Sequence, residues 1–258
     1  MLFRGEFVNG VDLVDVCLWA FTIFFFILIY YLLREGAREG YPLEEDTTGR
    51  SEGAGIFFFP PKKTFNLPNG RGSIEMSYGP ADTRAHALRR TAPWPGAPME
   101  PDGDPMTSAV GPGSYAQRLD EPDLNWDGTN RIAPYRLYPE YTVSAKDLDP
   151  RGLPVVGLDK VAAGTVTDLW VDRAEAIIRY FEVTLTGSGE RVLLPVPFCN
   201  ISKSRRRVEV DAVKASHFAA VPRLRNPDQI TRLEEDMVSA YYGAGTLYAT
   251  PQRLEPLL

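Results

Sequence analysis

The 258-residue chain predicts one N-terminal transmembrane helix joined to a mainly-β domain, a small antiparallel barrel followed by a C-terminal helix. Three observations carry this. An uncharged run extends from Val16 to Leu33, five or six short β-rich stretches lie between Gly152 and Val213, and a helix signal follows Asn226-Pro227.

The apolar run rises about 27 Å at ~1.5 Å per residue, and Val11, Leu13 and Val14 lengthen it to the ~20 residues a bilayer core requires. Residues 11–34 form the span, after a short N-terminus of residues 1–10. A cleaved signal would begin with basic residues and end on small ones; here Asp12 and Asp15 come first and Tyr30-Tyr31-Leu32-Leu33 closes the run, so the segment is expected to be retained. Arg34, Arg38 and Arg50 follow the span against Arg4 before it, which predicts the N-terminus outside and the bulk of the chain in the cytoplasm. Between Val16 and Leu33 there is no acid, base or imidazole, so anchoring and packing are the roles left to it. Phe21, Phe24, Phe25 and Phe26 suit either other membrane helices or lipid.

A net charge of -6, with Arg205-Arg206-Arg207 as the longest basic cluster, argues against a nucleic-acid partner. Cys17 and Cys199 lie in different parts of the chain and predict no disulfide, and no Cys/His spacing matches a zinc site, so no metal ligand set is assigned. His86 and His217 read as surface or packing residues. No Ser/His/Asp, Cys/His or phosphate-loop pattern supports a stand-alone enzyme, and no catalytic residue is assigned.

Residues 35–150 are dense in Pro and Gly, as in Leu67-Pro68-Asn69-Gly70, Ala92-Pro93-Trp94-Pro95-Gly96 and Gly111-Pro112-Gly113, which leaves little room for long regular elements. Yet Ile56, Phe57, Phe58, Phe59, Phe65, Trp94, Tyr115, Trp126, Tyr135 and Tyr138 are scattered through it. A disordered linker is poorer in such residues. The segment therefore reads as extended chain laid over a surface that a partner supplies.

Residues 151–258 form the folded domain. Leu153 to Leu158, Gly164 to Asp172, Ile177 to Leu185, Arg191 to Val196 and Val208 to Val213 read as strands, with turns at Gly187-Ser188-Gly189 and Arg205 to Arg207. Asn226 before Pro227 caps a helix from Asp228 to about Tyr241, ended by Gly243. If Ile177 to Leu185 alternates, Arg179 falls on the apolar face with Phe181, Val183 and Leu185, and a buried guanidinium requires carboxylates. Asp172, Glu175 and Asp168 are within reach. The group is either a salt-bridge cluster closing a hairpin or a coupled set of acids able to pass protons.

The chain resembles the H subunit of the purple-bacterial photosynthetic reaction centre over nearly its whole length. The resemblance rests on the span followed by Arg38-Glu39-Gly40-Tyr41-Pro42-Leu43, on Val110-Gly111-Pro112-Gly113-Ser114-Tyr115-Ala116 and on Asp149-Pro150-Arg151-Gly152-Leu153-Pro154-Val155. Ala163 to Asp172, Glu234-Glu235-Asp236 and Gly245 to Pro251 add to it. It implies a cytoplasmic PRC-type barrel on a single-pass protein of the bacterial inner, intracytoplasmic photosynthetic membrane. The barrel would cap the L and M subunits, with membrane lipids around the span and a cytochrome subunit or antenna ring as optional further members. Bacteriochlorophyll, bacteriopheophytin, quinones and non-haem iron would belong to L and M, none to this chain. The resemblance also implies that Asp172, Glu175 and Arg179 line a proton path to the secondary quinone. Family members with an Asp and two His at the proton entry have Asn125-Trp126-Asp127-Gly128-Thr129 aligned there, without histidine, which leaves Asp127 and Asp123 as entry candidates. A membrane-tethered PRC-barrel adaptor unrelated to light is the competing reading.

Overall fold

The computed structural model describes residues 6–8, 11–38, 40–45, 48, 50, 59–76 and 84–254. Arg4, Glu39, Ile56, Phe57 and Phe58, used above, lie outside them. The chain divides into two units, residues 1–82 with 94–96, and residues 83–93 with 97–258.

In the first unit, β1 (Glu6–Val8) pairs antiparallel with β2 (Val11–Asp12), which leads directly into α1 (Leu13–Gly36). Asp12 caps the helix by accepting the Val14 N–H at 3.2 Å. This is the one helix among the described residues long and apolar enough to cross a membrane. Its Thr22 hydroxyl donates to the Leu18 carbonyl at 2.7 Å, so that hydroxyl needs no water. In the last turn of the helix, Glu35 accepts from Arg38 at 2.8 Å and from Lys63 at 3.0 Å. Lys63 opens β3 (Lys63–Asn66), which forms a hairpin with β4 (Ser73–Met76). Asn69 and Gly70, in the connection between them, both have positive φ, 61° and 69°, which Asn and Gly tolerate best.

The second unit opens with a small hairpin of β5 (Leu88–Arg90) and β6 (Met99–Pro101). Its main sheet has seven strands: β7 (Ile132–Pro134), β8 (Pro154–Val156), β9 (Ala162–Asp172), β10 (Ile177–Leu185), β11 (Arg191–Pro195), β12 (Cys199–Ser202) and β13 (Arg207–Val210). The order is β11-β10-β9-β8-β13-β12, and β7 also pairs with β9. β9 is long enough to hold two neighbours on one edge, β8 along its first half and β7 along its second. All pairings are antiparallel except β8 with β13. That exception departs from the all-antiparallel expectation; the β12–β13 hairpin returns the chain so that β13 runs in the direction of β8.

Burial drives the closure of this sheet. Trp170, Phe181, Leu169, Leu194, Val155, Val166, Val183, Val208 and Val210 are sealed from solvent together with Phe218, Ile230 and Tyr242. Residues from the Pro/Gly-rich segment also enter this core: Met106 and Ile132 are buried in it. Apolar side chains there thus find cover within their own chain, through a strand of three residues that no alternation pattern could reveal.

The C-terminal helix α2 runs Arg232–Tyr248, later at both ends than the sequence predicts. Thr231 and Glu234 form a capping box, the Thr231 hydroxyl accepting the Glu234 N–H at 3.1 Å and the Glu234 carboxylate the Thr231 N–H at 2.9 Å. Asn226 instead accepts the Asp228 N–H at 2.9 Å and makes a turn. Gly243 does not end the helix because its role is close approach. A Cβ there would stand 2.6 Å from the Pro112 carbonyl oxygen, and one at Gly245 2.5 Å from that of Ala212.

Candidate functional site

Alternation along β9 sends Asp168, Trp170 and Asp172 to one face, opposite Glu182, Tyr180 and Ile177 of β10. Antiparallel pairing of β7 places Ile132 against Asp172 and Pro134 against Trp170. The residue before β7, Arg131, therefore falls beside Asp172, and Arg136, two past its end, falls beside Asp168. Two arginine-centred clusters result, at opposite ends of one strand pair.

In the first, Arg131 Nε donates to both Asp172 carboxylate oxygens at 3.1 and 3.0 Å, and its terminal nitrogens reach Asp172 at 2.9 Å, Glu175 at 2.8 Å and Asp123 at 3.4 Å. Asp172 is 1% exposed and also accepts the Ala174 and Glu175 N–H groups of the hairpin turn at 3.0 and 3.2 Å. Burial opposes ionisation of Asp172, but the Arg131 guanidinium and those two N–H groups more than offset it and hold its pKa below the usual carboxylate value. Asp172 is thus a fixed negative charge.

In the second, Arg136 donates to Asp168 at 2.8 Å, to Glu182 at 3.2 Å, to Asp228 at 2.5 Å and to the Pro227 carbonyl at 2.6 Å. Glu182 also accepts from Arg191 at 3.1 Å and from the Trp170 indole N–H at 3.2 Å. Every buried carboxylate here has a cation, as burial demands.

The structure corrects two placements. Arg179 is exposed, and makes no ion pair among the described residues: a β-bulge between Ile178 and Tyr180 inserts it as the unpaired residue and breaks the alternation that put it inside. The guanidinium shared by Asp172 and Glu175 is that of Arg131. Asp168 belongs to the Arg136 cluster. Of the entry candidates, Asp123 joins Arg131, whereas Asp127 is occupied within its own loop, accepting from the Thr129 hydroxyl and N–H at 2.6 and 3.0 Å. Those bonds lower the Asp127 pKa.

Reasoning from strands missed Arg131, Arg136, Glu182, Tyr180 and Glu235. Glu235, from the first turn of α2, accepts the Tyr180 hydroxyl at 3.2 Å. Burial pushes its pKa up; the Tyr180 hydrogen bond and the positive charge of Arg179 oppose that, and Asp123 and Asp236 reinforce it. The exposed Arg179 thus acts on the site through space. The one signal for Glu235 in the sequence was the acidic triplet Glu234-Glu235-Asp236.

Glu235 is expected to titrate above the ordinary carboxylate range, in a carboxyl band or ¹³C resonance that Glu235→Gln removes. Arg179→Met raises that midpoint further. Because the folded pKa is the higher one, the linked stability is full below the ordinary carboxylate pKa and is lost as pH rises through the raised value. A midpoint at or below the ordinary value would show that burial does not govern this carboxyl.

Burial also raises the Cys199 thiol pKa to about 12, and Cys17 and Cys199 are both free thiols. His217 accepts the Lys214 N–H at 3.4 Å, and burial and the Lys214 charge lower its pKa. No group of three or more His, Cys, Asp or Glu among the described residues could hold a metal ion.

A membrane-anchored protein with a small β domain, its polar face braced by arginine–carboxylate clusters, is the class these features define. Residues 146–217 match the PRC-barrel domain model, and residues 5–137 match the model described as photosynthetic reaction centre, H-chain N-terminal region. The chain belongs to the photosynthetic reaction centre H-chain family.

Proposed function

We propose that this chain is the non-catalytic H-type subunit that stabilises the L/M core on its cytoplasmic side and helps deliver protons to the secondary quinone. Its N-terminus then faces the periplasm and residues 151–258, with the extended segment before them, face the cytoplasm, in accord with the Lys/Arg count around α1. Pigments, quinones and iron belong to the partner subunits. The observation that carries the conduit is the convergence of Asp123, Asp172 and Glu175 on Arg131.

The acids divide the work by environment. A proton carrier needs a pKa near the working pH, and a strongly ionised acid serves better as a fixed charge that attracts protons. Asp172 fits the second role, and Glu235, whose pKa burial raises, is the candidate for the first. Glu175, with a side chain 54% exposed, is the group through which solvent protons reach Arg131's cluster.

The test is Glu175→Gln in the assembled complex. Flash-induced second-electron and proton transfer to the secondary quinone are expected to slow, with primary charge separation unchanged. Quinol formation at the wild-type rate would sink the conduit.

A further inference from the structure

Among the described residues the buried acids Asp168, Asp172, Glu182 and Glu234 each have an arginine within ion-pair distance. Glu235, half-buried in the first turn of α2, has no such cation among them. Its one hydrogen bond there comes from the Tyr180 hydroxyl, at 3.2 Å. Both ends of that bond are fixed. Tyr180 is 4% exposed within β10, opposite Trp170 of β9 and Pro195 of β11, and Glu235 follows directly on the Thr231–Glu234 capping box. A neutral phenol thus stands where the other acids have a guanidinium.

The two kinds of partner differ chemically. An arginine only donates and keeps its charge, so it favours the carboxylate and resists its protonation. A hydroxyl donates to a carboxylate and, turned about its C–O bond, accepts from a protonated carboxyl. We propose that Tyr180 is the positioning residue for proton transfer at Glu235, its hydroxyl holding the carboxyl in one place through both protonation states. This rests on the role of Glu235 as proton carrier. Burial raises the pKa of the phenol itself, so Tyr180 keeps its own proton while Glu235 titrates. The other groups facing the pair are Arg179 on β10, Asp123 before β7 and Asp236 on α2, which act on Glu235 by charge, and Ser239, one turn along α2 beside the phenol. Among the described residues none of these hydrogen-bonds the Glu235 carboxylate.

The test is Tyr180→Phe in the assembled complex, alone and combined with Glu235→Gln. Phenylalanine keeps the ring in the core and removes only the hydroxyl. The Glu235 titration, followed by its ¹³C resonance or carboxyl band, is expected to shift upward, because the donor to the ionised form is lost. Flash-induced proton delivery slows several-fold, and the midpoint of its pH profile moves up with that of Glu235. In the Glu235→Gln background Tyr180→Phe adds nothing, since the two side chains act as one unit. An unmoved Glu235 midpoint, or equal slowing by Tyr180→Phe with and without Glu235, overturns the proposal. Delivery at the native rate in Glu235→Gln removes the carrier and with it the role of Tyr180. Slowing in Glu235→Gln with none in Tyr180→Phe removes Tyr180 alone, and Glu175→Gln reports on the conduit separately.

Discussion

Replacement of Arg131 by Met is expected to destabilise the second unit by about 3 kcal/mol at neutral pH, because it leaves Asp172 buried without a cation. In the native chain the depressed pKa of Asp172 contributes stability above the ordinary carboxylate pKa of about 3.9, and that contribution is lost as pH falls through the lower folded value. With the guanidinium gone, burial dominates and raises the Asp172 pKa. The sign then inverts, with stability greatest below the ordinary pKa and lost as pH rises through the raised one. Urea titrations of the full chain in detergent at several pH values report both slopes. Adding Asp172→Asn recovers part of the loss, since an amide costs less to bury than an unpaired carboxylate. Equal stability of Arg131→Met and the native chain at neutral pH would show that Asp172 finds another partner. In the assembled complex, the pH profile of proton delivery moves with Arg131→Met, because a carboxyl titrating in a new range then stands beside Glu175.

Arg136→Met is expected to cost a similar amount, about 3 kcal/mol, through the other cluster. Glu182, 5% exposed, keeps Arg191 and the Trp170 indole, but Asp168, 7% exposed, loses its cation and retains backbone N–H donors. The ties to Asp228 and the Pro227 carbonyl also go, which frees the turn that leads into α2. Arg136→Lys recovers little, since one ammonium cannot span four acceptors arranged around a planar fork. Here the pH profile of proton delivery stays where it was. The pair of arginines thus separates bracing from conduction: two variants of comparable instability, of which one alters proton delivery. A shift of the profile in both would mean that it reports general loosening.

The span, most of the sheet and the acids of the β9–β10 hairpin were legible because each leaves a local signature. Eighteen uncharged residues, runs of β-branched residues broken by Gly, and Asp or Glu at a turn all declare themselves over short distances. β7 left none, with three residues, Ile132, Ala133 and Pro134, inside a Pro-rich context. α2 was displaced because Asn226 and Thr231 are both good caps, and the choice fell to Thr231, whose partner Glu234 completes the reciprocal pair.

Arg179 shows most plainly where local reasoning stops. Period-2 alternation is sound until a bulge adds one residue, and then every side chain past it changes face. Which arginine reaches Asp172 is decided by β7 pairing with β9 across 40 residues of chain. The sequence by itself determined the anchor, the β character of the C-terminal half and the presence of paired acids and bases, since hydrophobicity and backbone preference act residue by residue. Tertiary structure alone decided the pairing of Arg131 with Asp172, of Arg136 with Asp168 and of Tyr180 with Glu235. The Coulombic and hydrogen-bond terms that set those charges depend on distances of a few ångströms between segments far apart in the chain.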